Sequence, residues 1–221
     1  MKHVRCFGIL LVALLTIGGM QAAGASAHQW EKNKRPVGKG EVLPVRIEFN
    51  SFIFTSEFIS TKNIEAFRCS FVEKGKLEPG GVQQITEIAD KTSGKKAIKC
   101  ELILTGECNT SSIEAINLPW KAELATVEGE LRNVIVSGTK GSPEWRRECK
   151  KHEETFHQAC AAFSNTRLKI PTVSPPEEYL EEIFDSKSPP TLCDDLVEKM
   201  EFRGSGKMRE TEFFSTVLGA S

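Results

Sequence analysis

The sequence lacks the short patterns that mark most enzyme classes. It contains no G-x-S-x-G elbow, no HExxH, no P-loop and no GxGxxG fingerprint. Only four of the 221 residues are histidine, and nothing around them indicates a Ser-His-Asp triad. We therefore expect a chain that is not an enzyme and needs no cofactor, with an extracellular hydrolase or copper oxygenase as the alternative.

The sequence also lacks an excess of charge of either sign. It has 29 Lys and Arg against 30 Asp and Glu, a formal net charge of −1. A nucleic-acid-binding domain is typically basic, so no nucleic-acid partner is expected. Beyond residue 27 no stretch is apolar enough to span a membrane, which takes roughly 20 residues.

Residues 1–27 resemble a secretory signal peptide. Lys2, His3 and Arg5 form a basic start, residues 6–17 are apolar, and residues 25–27 read Ala-Ser-Ala, a small-x-small cleavage site. Residues 28–221 are then one secreted domain, in which the polar stretch 28–40 is expected to be a mobile or edge segment. Contact with the cell envelope or a polysaccharide is a further expectation.

Six cysteines remain after residue 27, and an even number in an exported chain predicts disulfides. Six cysteines allow 15 pairings, among which sequence alone does not choose. The close spacings favour Cys100 with Cys108 and Cys149 with Cys160. Cys69 and Cys193 would then close the longest loop.

Two metal sites are conceivable from the sequence. The segment 149–160 has the spacing C-x2-H-x4-H-x2-C, so Cys149, His152, His157 and Cys160 could bind zinc. Oxidation of the thiols in an exported protein argues against it. Cleavage after Ala27 would also make His28 the first residue, where it could hold copper as in histidine-brace oxygenases, with His152 or His157 as partner.

Strand signals dominate the chain. Val45, Ile47 and Phe49 alternate with polar residues, and Pro79-Gly80-Gly81 predicts a turn between two strands. Short strands broken by Gly and Pro favour a mainly β fold, an antiparallel sandwich or barrel stapled by disulfides. One or two short helices are expected in the C-terminal third, at residues 176–184 and, ambiguously, at 191–200.

Two local patterns have an ordinary interpretation. Adjacent acidic pairs, such as Glu181-Glu182, are interpreted as solvated faces rather than as acid–base pairs. The segment Gly204-Ser205-Gly206-Lys207 lacks the first glycine of a phosphate loop and is interpreted as a tight turn.

The most distinctive segment is Asn117-Leu118-Pro119-Trp120, followed by Glu123-Leu124 and Arg132-Asn133. Together with Trp30, Cys69, Gly80-Gly81 and the segment from Trp145 to Cys149, it resembles a family of uncharacterised secreted proteins of soil actinobacteria. The resemblance implies export and a β-rich fold, and it implies no activity. The sequence departs from the family in its charged stretch 150–157 and in the helix-like segment around Tyr179.

Trp120, Glu123 and Arg132 are the candidate ligand-binding residues. Trp120 has a large apolar surface that could stack on a sugar beside an acid and a base paired across adjacent strands. The alternative is a core tryptophan near a surface ion pair.

Overall fold

A computed structural model describes residues 28–58, 64–104, 110–151, 154–161, 165–169, 180–184, 191–192, 197–211 and 218–221. The proposed signal peptide therefore lies outside the described residues. Within the described ranges the chain forms strands and no helix, and no helix among them is long and apolar enough to cross a membrane. In chain order the strands are β1 (Trp30–Lys32), β2 (Arg35–Pro36), β3 (Leu43–Phe58), β4 (Ile64–Glu78), β5 (Val82–Asp90), β6 (Ile98–Leu104), β7 (Thr110–Ile116), β8 (Trp120–Val127), β9 (Glu130–Gly138), β10 (Glu144–Lys151), β11 (Glu154–Ala161), β12 (Asn165–Lys169), β13 (Leu180–Phe184), β14 (Thr191–Leu192), β15 (Val197–Glu210) and β16 (Leu218–Ala220).

Eight strands close into an antiparallel barrel. This confirms the prediction of a mainly β fold, and of the two predicted architectures it is the barrel and not the sandwich that forms. Their order around the barrel is β3-β4-β5-β8-β9-β12-β13-β15, and β15 pairs with β3 to complete the ring. Four further strands, β6, β7, β10 and β11, continue from β4 as an antiparallel sheet that we call the branch. A small sheet of β16, β1 and β2 contains both ends of the described chain.

The long strand β4 takes part in both the barrel and the branch. The C-terminal half of β4, from Phe71, pairs with β5 of the barrel, whereas Ala66 to Cys69 pair with β6 of the branch. An irregularity in the ladder lies near this junction, between Phe49 and Phe52 on β3. Such bulges bend a strand and increase its twist, which allows one strand to pair within two differently curved sheets.

The predicted alternation on β3 is confirmed: Val45, Ile47 and Phe49 are buried, and the residues between them are not.

Aromatic rings join the cores of the barrel and the branch. Trp120 of the barrel strand β8 meets Trp145 of the branch strand β10 edge to face, with ring centroids 5.4 Å apart. The barrel and the branch therefore share a continuous apolar core.

The predicted C-terminal helices are wrong for the residues that the structure describes. Residues 180–184 form β13, which pairs with both β12 and β15, and β14 with the start of β15 occupies the described part of 191–200. Leu180 and Glu182 are buried while Glu181 and Ile183 are partly exposed, the two-residue period of a strand. Hydrogen bonds from two neighbouring strands outweigh the weak local helix preference of this segment.

Two turn predictions have different outcomes. Pro79-Gly80-Gly81 forms the turn between β4 and β5, with positive φ at both glycines. Gly204 and Gly206, in contrast, lie inside β15 and not in a turn. A Cβ atom on Gly206 would come within 2.5 Å of the Phe49 ring, so glycine is needed there because the ring of the neighbouring strand occupies the space.

Candidate functional site

Four polar side chains form a buried network inside the barrel, one from each of four strands. They are Glu73 on β4, Gln83 on β5, Asn133 on β9 and Glu182 on β13, and none is more than 7% exposed. Gln83 Nε2 donates to Glu73 Oε1 at 2.8 Å. Asn133 Nδ2 donates both to Gln83 Oε1 and, at 2.9 Å, to Glu182 Oε1. The amides thus link two carboxyl groups from distant parts of the chain.

Strand pairing places the middle of this network. Asn133 lies opposite Leu124 on β8 and Thr166 on β12, both buried. The Thr166 hydroxyl donates to the backbone carbonyl of Asn133 at 3.4 Å. Because side chains alternate along a strand, the burial of Leu124 and Thr166 directs Asn133 to the same interior face.

The environment favours the protonated form of both acids. Burial raises the pKa of Glu73 well above its usual value, the Glu182 carboxylate raises it further, and the Gln83 hydrogen bond opposes both. Burial also raises the pKa of Glu182 to about 7, against the opposing hydrogen bond from Asn133. Removing a carboxylate from water disfavours its charge, and the described network contains no cation to compensate.

The hydrogen bonds of the network are short of one donor. Both protons of Asn133 Nδ2 are engaged, while Asn133 Oδ1 is buried and has no partner among the described residues. A protonated carboxyl is a donor as well as an acceptor. A protonated Glu73 or Glu182 would add a donor to the network, which agrees with the direction of both pKa shifts.

A second buried polar arrangement lies in the branch. Arg147 on β10 and Glu65 on β4 are each at most 1% exposed, and Arg147 Nη2 donates to Glu65 Oε2. The guanidinium also lies over the Phe67 ring, 4.6 Å from its centroid. The buried carboxylate of Glu65 is therefore paired directly with a cation, and the Phe67 ring packs against that cation.

The predicted cysteine pairing is wrong where the structure describes it. Cys69 is bonded to Cys100, its direct partner across β4 and β6, with the Cα atoms 4.4 Å apart. Neither Cys100 with Cys108 nor Cys69 with Cys193 is therefore formed, and Cys108 and Cys193 lie outside the described residues. Spacing along the chain misled the prediction because strand register, and not loop length, brings thiols together.

The ladder of β10 and β11 does not bring Cys149 and Cys160 together. Cys149 lies opposite Phe156, and Cys160 lies opposite Trp145. This offset of four residues is roughly 13 Å along a strand, beyond the ~7 Å between Cα atoms that a disulfide allows. The same offset separates two of the four predicted zinc ligands, and the described residues contain no group of three His, Cys, Asp or Glu that could hold a metal.

The histidines give no support to the predicted copper site in the described part of the chain. His28 Nε2 lies 2.7 Å from Thr126 Oγ1, so its ring is engaged by a hydroxyl group on β8. Of its predicted partners, His152 lies outside the described residues, and His157 is described only through its backbone.

Trp120, Glu123 and Arg132 do not form the predicted ligand-binding face. Trp120 is 1% exposed, and its indole Nε1 donates to Ile116 O at 2.7 Å, so its ring belongs to the core and offers no face to a sugar. Glu123 pairs with Lys121 on its own strand. The Arg132 guanidinium is buried and donates to Glu130 at 2.8 Å. Glu123 lies opposite Val134 in the ladder, and its carboxylate pairs with Lys121 and not with Arg132.

Sequence patterns did not predict the carboxyl–amide network. They place Glu182 in a solvated acidic run, because local polarity does not reveal which strand face is inward. Its alternation with Leu180 was the one available signal.

A scan of family models, a search of curated proteins and a search of solved structures each found no match to the chain. The family resemblance therefore stays a prediction.

Proposed function

We propose that the chain is an exported, non-catalytic β-barrel protein that acts outside the cell or at the cell envelope, as a binding or structural protein. The observation that carries the proposal is the disulfide between Cys69 and Cys100. Such bonds persist in oxidising compartments and are rare in the cytosol. The signal-like residues 1–27 and the resemblance to secreted actinobacterial proteins support the same location.

The chemistry of the barrel interior supports a role without catalysis. Glu73 and Glu182 have the raised pKa values that acid–base catalysts often show. A catalytic acid, however, must come within hydrogen-bonding distance of its substrate. Both carboxyls are enclosed in the barrel and bonded to amide side chains, which is the environment of a structural core. A hydrolase would need reacting groups elsewhere in the chain.

A sugar-binding role and a copper-dependent activity both lack support from the residues on which they would depend. A carbohydrate-binding module built on Trp120 would need an exposed indole, whereas this ring is in the core. A copper oxygenase would need the His28 ring, which is hydrogen-bonded to Thr126.

The test is expression of the full chain, with its N-terminal segment, in an exporting bacterial host. We expect the culture fluid or cell-wall fraction to contain a product that starts at His28 and yields a peptide crosslinked through Cys69 and Cys100. The mass gain on reduction and alkylation counts the cysteines that were oxidised. Recovery of the uncleaved chain, folded in the cytosol with both thiols reduced, would overturn the proposal.

The absence of catalysis is tested on the same purified product. It is incubated with isolated cell walls and with neutral and acidic polysaccharides, and soluble reducing ends are measured. We expect no release above that of the heat-denatured protein. Hydrolysis by the native protein that is absent after heat denaturation would make the protein an enzyme.

A further inference from the structure

The hairpin of β1 and β2 carries exposed positive charge beside a surface pocket. Residues 28–40 contain four Lys and Arg, namely Lys32, Lys34, Arg35 and Lys39, against one acid, Glu31. The pocket has a volume of about 540 Å³ and is lined by Lys32, Asn33, Arg35, Pro36 and Glu41. The cationic groups in its lining are suited to a ligand that carries a negatively charged group.

The cationic side chains of the hairpin differ in whether they form ion pairs within the described part of the chain. Lys32 Nζ lies 3.0 Å from Glu210 Oε1, so its charge is balanced by a buried acid. Lys34, Arg35 and Lys39 are exposed, and none of the three forms an ion pair within the described part of the chain. The planar guanidinium of Arg35 can bind a phosphate or carboxylate group through two parallel hydrogen bonds.

Lys34 is an unusual residue for its position. Asn33 and Lys34 form the turn between β1 and β2, with φ of 52° and 63°. Hairpin turns with two positive φ values prefer Asn followed by Gly, because only glycine has no steric cost there. The chain has Asn at the first place and a lysine at the second. A residue that breaks a local folding rule is more often there for function than for stability.

We propose that the β1–β2 hairpin is a binding site for the phosphate or carboxylate groups of an acidic polysaccharide. Arg35 binds one anionic group in the pocket, and Lys34 and Lys39 attract neighbouring groups of the same polymer. The inference deepens the proposed function, on which it rests for the extracellular setting. A polymer fits better than a single small anion because cations lie both inside and outside the pocket.

The test uses the purified full-length secreted protein and equilibrium binding to three polymers: polygalacturonate for carboxylate, poly(glycerol phosphate) for phosphate, and dextran as the neutral control. We expect binding to at least one acidic polymer, weakened by salt because exposed charges are screened, and none to dextran. The two acidic polymers distinguish which anion is preferred. Equal binding to dextran, or no binding to either acidic polymer, would overturn the proposal.

Three variants locate the site. Arg35→Gln should weaken binding about fivefold, in the range expected for an exposed charge-assisted contact. Glu41→Gln should strengthen binding, because it removes a like charge from the pocket wall. Lys34→Gly is the sharpest variant: it should weaken binding and at the same time raise Tm by about 2 °C, since glycine relieves the left-handed backbone. Weaker binding therefore cannot be attributed to misfolding.

The matched control is Lys95→Gln. Lys95 is an exposed lysine in another lysine-rich connection, residues 91–97 between β5 and β6, and its loss should leave binding unchanged. If it weakens binding as much as Arg35→Gln does, general surface charge is responsible and the site is wrong. Tighter binding to DNA or to anionic lipid vesicles than to both acidic polymers would also overturn the assignment. Export and cleavage are measured separately, so failure of this site leaves the proposed function testable on its own.

Discussion

The barrel and the branch each bury acidic side chains, and they satisfy them in opposite ways. In the branch, Glu65 is paired with the guanidinium of Arg147. In the barrel, Glu73 and Glu182 accept hydrogen bonds from amides. An ion pair stabilises the charged form of an acid, whereas burial among amides favours the neutral form. The barrel interior is therefore the part of the protein whose stability should respond to pH near neutrality.

The largest effect is expected from breaking the ion pair of the branch. Arg147→Met leaves Glu65 buried without its cation, which should cost about 3–5 kcal/mol of unfolding free energy. The double variant Glu65→Leu/Arg147→Met should recover most of that loss, because it removes both charges. Urea denaturation at pH 7 measures both. If the double variant is as unstable as the single one, the pair is not the source of the effect.

Removal of the disulfide should have the next largest effect, and it should affect the branch more than the barrel. Cys69→Ala/Cys100→Ala opens a crosslink between residues 31 positions apart, which should cost roughly 3 kcal/mol. Hydrogen exchange should then increase more in β6 and β7 than in β8 and β9, because the bond ties the branch to β4. An equal increase in all four strands would contradict this division.

The pH dependence of stability tests the barrel. The pKa of Glu182 is raised from 4.5 to about 7 in the folded state, so the folded chain holds its proton more tightly than the unfolded chain. Its contribution is complete below pH 4.5 and is lost as the pH rises through about 7. Glu73 acts in the same direction. Stability should therefore fall between about pH 5 and pH 8.

Glu182→Gln isolates this contribution, since glutamine resembles the protonated acid and does not titrate. The variant should equal the wild type near pH 4. It should be more stable at pH 8, by on the order of 2–3 kcal/mol. Urea denaturation at the two pH values gives the comparison, with Glu123→Gln, which removes an exposed acid, as the control that should change stability little at either pH. A wild-type advantage at pH 8 would show that the carboxylate is stabilised in the barrel.

The smallest effect is expected at the surface. Glu123 and Lys121 form an exposed ion pair, and such pairs contribute little because water and salt screen them. Glu123→Gln should change the free energy of unfolding, measured by urea denaturation, by less than about 0.5 kcal/mol. A larger change would require a further role for Glu123.

Local patterns predicted the strands well and their partners poorly. The alternation of Val45, Ile47 and Phe49 and the glycine turn at residues 80–81 needed only neighbouring residues, and both are observed. The helix expected at 176–184 is not formed at residues 180–184, because β12 and β15 flank β13 and hold it extended. The turn expected at the glycines of β15 failed for a similar reason: the side chains next to Gly204 and Gly206, Phe52 and Phe49, come from another strand.

The strands of the described chain and the glycine turn at residues 80–81 could be predicted from the sequence, and a disulfide could be expected, although not its partners. These properties depend on backbone preferences and on side-chain alternation over a few residues. Only the tertiary structure decided that Cys69 meets Cys100 and that Glu73 and Glu182 share one interior. Those contacts depend on the order and register of strands around a closed barrel, which are decided by packing between distant segments and leave no local mark in the sequence.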